Sequence, residues 1–177
     1  MKSVLVLMLL TLSAFAQQES GAAAAACGPR KTSFEVKLDE VQHTLAEPEA
    51  GKGLVYFVQD VGAVNCLGGC YQTKIGLDGA WVGAVQHNSY FPVSVEPGEH
   101  HVCASPQSHF ISATSEKYAS VRLALAHFTA EAGKVYYFRA RFFGSQNQAL
   151  FDLDAIDGDQ AKYLIASYPL SVSHPKP

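Results

Sequence analysis

Four cysteines, the neighbours His100 and His101, and four closely spaced aspartates are the side chains of this 177-residue sequence best able to do chemistry. Each group is limited by its spacing. Cys66-Leu67-Gly68-Gly69-Cys70 is not the C-x-x-C of a redox motif, and its two glycines permit the tight reversal that a short bridge needs. An even number of cysteines behind an export signal points to two disulfides, so Cys66 is expected to pair with Cys70 and, by elimination, Cys27 with Cys103. A rival reading makes Cys66 and Cys70 zinc ligands with His87 or His101, but no second close-spaced ligand pair supports it.

His100 and His101 are adjacent, and neighbouring residues of a strand point to opposite faces, so one regular strand cannot aim both at one ion. A small hydrolase or metal-dependent enzyme would have to gather His101 with His87, His109 or His127 by folding. There is no G-x-S-x-G elbow, and oxidised cysteines leave no thiolate to act as nucleophile, so no catalytic residue and no cofactor are assigned. Asp152, Asp154, Asp157 and Asp159 superficially suit a calcium loop, but a loop starting at Asp152 would need a ligand at Ile156, a glycine at Asp157 and a glutamate at Tyr163. The wet face of a strand followed by a helix N-terminus accounts for all four, and no metal is assigned. Arg139 and Arg141 fall on one strand face with Tyr137 and Phe143, a cation and aromatic surface that is the most specific candidate for binding. Part of that face is open to cover by the C-terminal helix, with the arginines at its rim. Trp81, the single tryptophan, is a further candidate for stacking a sugar or peptide.

The elements that must position these groups are mostly strands. Leu54-Val55-Tyr56-Phe57-Val58 is a short apolar run, as expected of a central strand buried on both faces. Thr73–Leu77 and Ala80–Ala84 flank Asp78-Gly79, the strongest two-residue hairpin signal. Ser89–Val95 reads as a strand, with Pro92 suggesting an edge, and the Pro97-Gly98 turn returns the chain through His100–Ala104. Val121–Thr129, Lys134–Phe143 and Leu150–Ile156 are further strands. Ala161, Leu164, Ile165 and Tyr168 form one helical stripe, capped by Asp157 and stopped by Pro169. The fold expected is mainly β: an antiparallel β-sandwich of about seven to eight strands with one short C-terminal α-helix over about 158–168.

Residues 1–16 carry a positive start, an apolar stretch too short to cross a bilayer, and the small-x-small ending Ala14-Phe15-Ala16 of a cleaved signal peptide. Residues 17–26 read as a flexible leader, residues 27–177 as one domain with its core over 51–156, and residues 46–51 as the last linker before that core. The expected location is secreted or periplasmic, without a membrane span after cleavage. Lipid anchoring at Cys27, behind Ala24-Ala25-Ala26, is the minority reading. With 13 basic against 16 acidic side chains the charge balance excludes a nucleic-acid coat and names no other partner.

Gly51-Lys52-Gly53-Leu54-Val55-Tyr56-Phe57, Leu77-Asp78-Gly79 with Val82-Gly83, Ser89-Tyr90-Phe91 leading to Val95-Glu96-Pro97-Gly98-Glu99-His100, and Ala132-Gly133-Lys134-Val135-Tyr136-Tyr137-Phe138-Arg139 carry a resemblance. Together they resemble an uncharacterised family of exported bacterial β-sandwich domains, catalogued as a domain of unknown function. The middle part is also similar to PEGA-type surface modules. The resemblance implies a β-sandwich in the cell envelope and transfers no catalytic residue. Abundant scaffold signals without a convergent reactive set point to a non-catalytic binding or structural module, its partner an envelope or extracellular protein or a glycan.

Overall fold

The computed structural model describes residues 27–29, 31–41, 45–61, 72–107, 123–145 and 148–177. Two sheets pack face to face. The larger contains β1 (Phe34–Asp39), β2 (Gly53–Gln59), β5 (Ser89–Val95), β8 (Val135–Ser145), β9 (Gln148–Ala155) and β10 (Leu170–Pro175), in the order β1-β10-β5-β2-β8-β9. The smaller contains β3 (Gln72–Leu77), β4 (Ala80–Gln86), β6 (Gly98–Pro106) and β7 (Ala124–Ala130), in the order β4-β3-β6-β7. Among the described residues one helix, α1 (Gly158–Ser167), is present, and it precedes β10. The fold is thus the mainly β sandwich expected, with ten described strands rather than seven or eight; most pairs are antiparallel, and β2 with β8 and β10 with β5 are parallel.

Alternation along the strands divides the apolar residues between two layers. Val55, Phe57, Ile75, Val85, Phe91, Val102, Phe138 and Leu153 meet between the sheets. Leu54, Tyr56 and Val58, on the other face of β2, pack with Tyr90 under Leu164 and Ile165 of α1. Every residue of β2 is therefore buried, which is why its sequence is continuously apolar. The α1 stripe falls as its spacing predicts, and the Asp157 carboxylate caps it by accepting from the backbone N–H groups of Asp159 and Gln160.

The Asp78-Gly79 turn has positive φ at both positions, 50° and 81°, the geometry that a two-residue hairpin of this twist requires. Three differences from the sequence reading matter. The chain does not end on the helix, because Leu170–Pro175 returns as β10 and pairs along its length with β1. The sheet therefore extends outside the expected core of residues 51–156, and β1 is a strand of it although it precedes the expected linker. Finally, β5 is not a sheet edge: it lies between β2 and β10, joined to β10 at Leu170 and Tyr90. Pro92 is accommodated because β10 pairs β5 only at Tyr90, so the proline sits where β2 is its one strand neighbour.

Where β4 would present an open edge, the hydroxyls of β10 meet it. Ser173 Oγ accepts from the Ala84 N–H at 3.0 Å and Ser171 Oγ donates to the Ala84 carbonyl at 2.8 Å. A chain of amides makes a second link between the sheets: Gln86 accepts from Gln72, and Gln107 donates to Gln72 and to the Phe34 carbonyl while accepting from the Phe34 N–H. Residues 1–26, where a signal peptide and leader are expected, lie outside the described residues, as do Cys66, Cys70 and His109.

Candidate functional site

The described side chains of the expected binding patch do not form one surface. Tyr137, Arg139 and Arg141 stand on the outer face of the larger sheet, Trp81 stands on the outer face of the smaller one, and the side chain of Phe143 lies outside the described residues. Tyr137 stacks on Tyr56 at 5.7 Å between centroids, and the start of α1 at Gly158 crosses over its ring. It belongs to the layer beneath the helix.

Arg139 and Arg141 face Asp154 and Asp152 directly across the β8–β9 ladder. Arg139 Nη2 is 3.5 Å from Asp154 Oδ2 and its Nη1 is 3.9 Å from Asp60 Oδ2; Arg141 pairs with Asp154 and, at 3.6 Å, with Asp152. Asp60 also accepts from the Tyr168 hydroxyl at 3.0 Å, so one network joins β2, β8, β9 and the end of α1. Burial and the neighbouring Asp60 push the Tyr168 phenol up to about 12. The two carboxyls opposite the arginines diverge. The Asp152 carboxyl is held above its ordinary value by its hydrogen bond to Asp154 and by burial. Burial acts upward on Asp154 too, but its hydrogen bond to Asp152 and the two guanidinium groups outweigh this and hold it low. The face expected to offer free cations offers guanidinium groups whose Nη atoms are paired with carboxylates.

Trp81 seals the N-terminal segment to the smaller sheet. Cys27 and Cys103 are disulfide-bonded with Cα atoms 5.3 Å apart, and Trp81 packs against them while its Nε1 donates to the Pro29 carbonyl at 2.8 Å. Lys74 lies 4.2 Å from the indole centroid and donates to the Thr32 carbonyl, and burial lowers its pKa. Gly28 is required at this closure: a Cβ there would collide with Trp81 Cδ1 and come within 2.8 Å of the Trp81 backbone nitrogen. A sulfur bonded to Cys103 is not available for a thioether, so this disulfide and a lipid on Cys27 exclude one another.

The histidines divide by face, as the strand argument requires. His100 points inward against Phe128, with Nδ1 2.6 Å from Asp78 Oδ2 and Nε2 2.6 Å from the Glu96 carbonyl. Burial works against its charge, but these two acceptors prevail and raise its pKa. Asp78, opposed by burial but bonded to the His101 N–H and to His100, is held low. The imidazolium of His100 thus stabilises the folded state fully below the ordinary histidine pKa near 6.5 and loses that effect as pH rises through its higher folded-state value. The Asp78 contribution is present above the ordinary carboxylate range and is lost as pH falls through its lowered value. The His100→Gln variant should therefore lose roughly 1 kcal/mol at pH 6 and much less at pH 9, since the partly exposed Asp78 weakens the pair. Urea midpoints of both proteins across that interval check this; a constant gap between them would refute it.

His101 and His127 stand directly opposite each other on β6 and β7, both exposed on the outer face. Cysteine spacing and strand parity could place His101 beside Cys103, but the partnership with His127 depends on the β6–β7 register, which no local motif reports. On the other side of β7, His127, Phe128, Val135, Tyr136, Ile156 and Asp157 help to line an open groove of about 410 Å³ between β7, the start of β8 and the β9–α1 corner. Phe128 and Tyr136 are in ring contact at 5.0 Å, which gives the groove an aromatic floor.

The family model described as protein of unknown function (DUF2846) matches residues 49–152. The matched span runs from just before β2 into β9 and holds Cys103 but not Cys27. No curated protein and no solved structure matches the chain.

Proposed function

The chain belongs to the DUF2846 family, a family of unknown function, and from that premise we propose an exported, non-catalytic module that binds or scaffolds in the bacterial cell envelope. Its contact surface in this reading is the aromatic groove between β7 and the β9–α1 corner, and its partner an envelope protein or a glycan. The observation that carries the reading is how the reactive groups are used. Arg139, Arg141, Asp154, Asp60 and Tyr168 bond one another across four elements, His100 is held between Asp78 and Glu96, and Cys27 is joined to Cys103. Groups engaged in this way hold strands in register, whereas the groove presents apolar rings to solvent. A disulfide that fastens the N-terminal segment suits an oxidising compartment.

Intact mass of the secreted protein, before and after reduction with alkylation, tests the export half of the proposal. A chain beginning at Gln17 that gains four alkyl groups only after reduction is expected; a chain retaining Met1, or thiols that alkylate without reduction, overturns it. Binding is read by amide shifts of the mature protein titrated with soluble peptidoglycan fragments and with an extended apolar peptide. Shifts centred on Phe128, Tyr136 and Ile156 support the groove, and none with either probe removes it. The second reading, a small hydrolase or metal-dependent enzyme using His101, draws on the juxtaposition of His101 and His127.

A further inference from the structure

We propose that His101 and His127 form a two-imidazole site for a borderline divalent ion of the Zn2+, Ni2+ or Cu2+ class on the outer face of the smaller sheet. The inference requires neither occupancy of the groove, which His127 also lines, nor any catalytic reading.

Backbone hydrogen bonding fixes the geometry. The N–H of His101 donates to Asp78 Oδ1 at 2.9 Å, and its carbonyl accepts from the Asp78 N–H at 3.0 Å. Both backbone groups of a strand residue point to the same side, so those of His101 face the β3–β4 turn and away from β7. The register nevertheless places His127 directly opposite His101. The two therefore form a non-hydrogen-bonded antiparallel pair, the arrangement in which opposed side chains come closest, with Cβ atoms roughly 5 Å apart. One ion can be reached by two imidazoles at that separation, because each places a ring nitrogen beyond its Cβ and a Zn–N bond is only about 2 Å.

The surroundings favour this use. Both residues are exposed, and among the described residues no hydrogen bond or ion pair occupies either imidazole's nitrogens, Asp78 acting on His101 only through its charge. The support is stiff: the next non-hydrogen-bonded pair along is Cys103 with Leu125, and Cys103 is fixed by the disulfide. Acidic groups lie near the pair without completing a cage. Asp78 has its oxygens engaged by His100 and by the His101 N–H, and Glu99 is two residues along β6 on the same face. No three of His, Cys, Asp and Glu converge on an ion among the described residues. Two nitrogens plus solvent thus make an exchangeable surface site, and its preference should follow the affinity of imidazole, with Cu2+ above Zn2+ and Ni2+.

The test is calorimetric titration of the mature, oxidised, tag-free protein with ZnCl2, its cysteines shown beforehand to be unreactive to alkylation. One equivalent of Zn2+ should bind saturably at neutral pH. His101→Ala and His127→Ala should each weaken binding at least about tenfold, since each removes one of two ligands. His174→Ala, at an exposed position on β10, should leave it unchanged. Imidazole proton signals of His101 and His127 should shift together and saturate at one equivalent. Either of two results overturns the site: no saturable binding, or binding that both alanine variants retain at full strength. Melting curves of the variants without metal establish that they fold.

Discussion

Cys27→Ser lowers the melting temperature of the oxidised protein by about 10 °C, the largest effect we expect from a single substitution outside the core. The bond closes a separation of 76 residues, and a loop of that length restrains the unfolded chain by about 4 kcal/mol in the chain-entropy account. For a chain of this size that free energy corresponds to a shift of roughly 8–16 °C, of which about 10 °C allows for structure retained in the unfolded state. The effect has a local part as well. Residues 27–29 rest on Trp81, and the indole is held by the Pro29 carbonyl and by Lys74 above its ring. Releasing the segment exposes both to water. Calorimetry of wild type and variant measures the difference, and Cys103→Ser should reproduce it; a melting curve unchanged by either substitution would refute the role given to the bond.

Asp154→Asn destabilises by roughly 2–3 kcal/mol, while Asp152→Asn, two residues away on the same strand face, changes stability by no more than about 0.5 kcal/mol. The contrast follows from opposite displacements of the two carboxyls. Asp154 is held low, so its ionised form stabilises the fold above the ordinary carboxylate range, and that contribution disappears as pH falls through its folded-state value. Asp152 is held high, so the fold binds its proton more tightly than the unfolded chain does, and ionising it at neutral pH costs stability. Neutralising Asp154 strips the carboxylate shared by Arg139 and Arg141, and the Arg139 side chain is only 13% exposed. The value stays below that of a fully buried pair because Arg141 and Asp154 are 30% and 28% exposed. Urea unfolding at pH 7 measures both, and equal losses would contradict the assignment.

Much of this architecture was legible because its signals are local. Asp78-Gly79 specifies a hairpin through positive φ alone, the run from Leu54 to Val58 specifies a strand covered on both sides, and the α1 stripe specifies which face of the helix is buried. What was not legible depends on partners distant in sequence. Leu170-Ser171-Val172-Ser173 alternates for only four residues before His174-Pro175, and Ser171 is buried while Val172 is exposed; the segment becomes a strand because β1 pairs with it and its two serines bond the β4 backbone. Strand parity correctly placed Arg139, Arg141 and Tyr137 on one face, and it also showed Asp152 and Asp154 alternating on the next strand. The missing quantity was the register that sets Arg139 opposite Asp154 and turns an apparent binding face into an ion-pair network. The same holds for His101 and His127, whose strands are joined through residues outside the described chain.

The pairing of β1 with β10 also has a consequence for the order of folding. Phe34 is matched to Pro175, and β10 lies between β1 and β5, so β1 has no partner strand within its sheet until β10 arrives. In a chain released from N to C terminus, β2 to β9 emerge before β10, and β1 gains its strand partner only once Leu170–Pro175 is free. Such distant contacts slow the final step, since the loop must be closed before the contacts that reward it form. The larger sheet therefore depends on a strand that emerges late: a chain truncated before Leu170 leaves β1 unpaired, Tyr90 of β5 without its parallel partner and the edge of β4 without its serine hydroxyls, a form that proteases would find open.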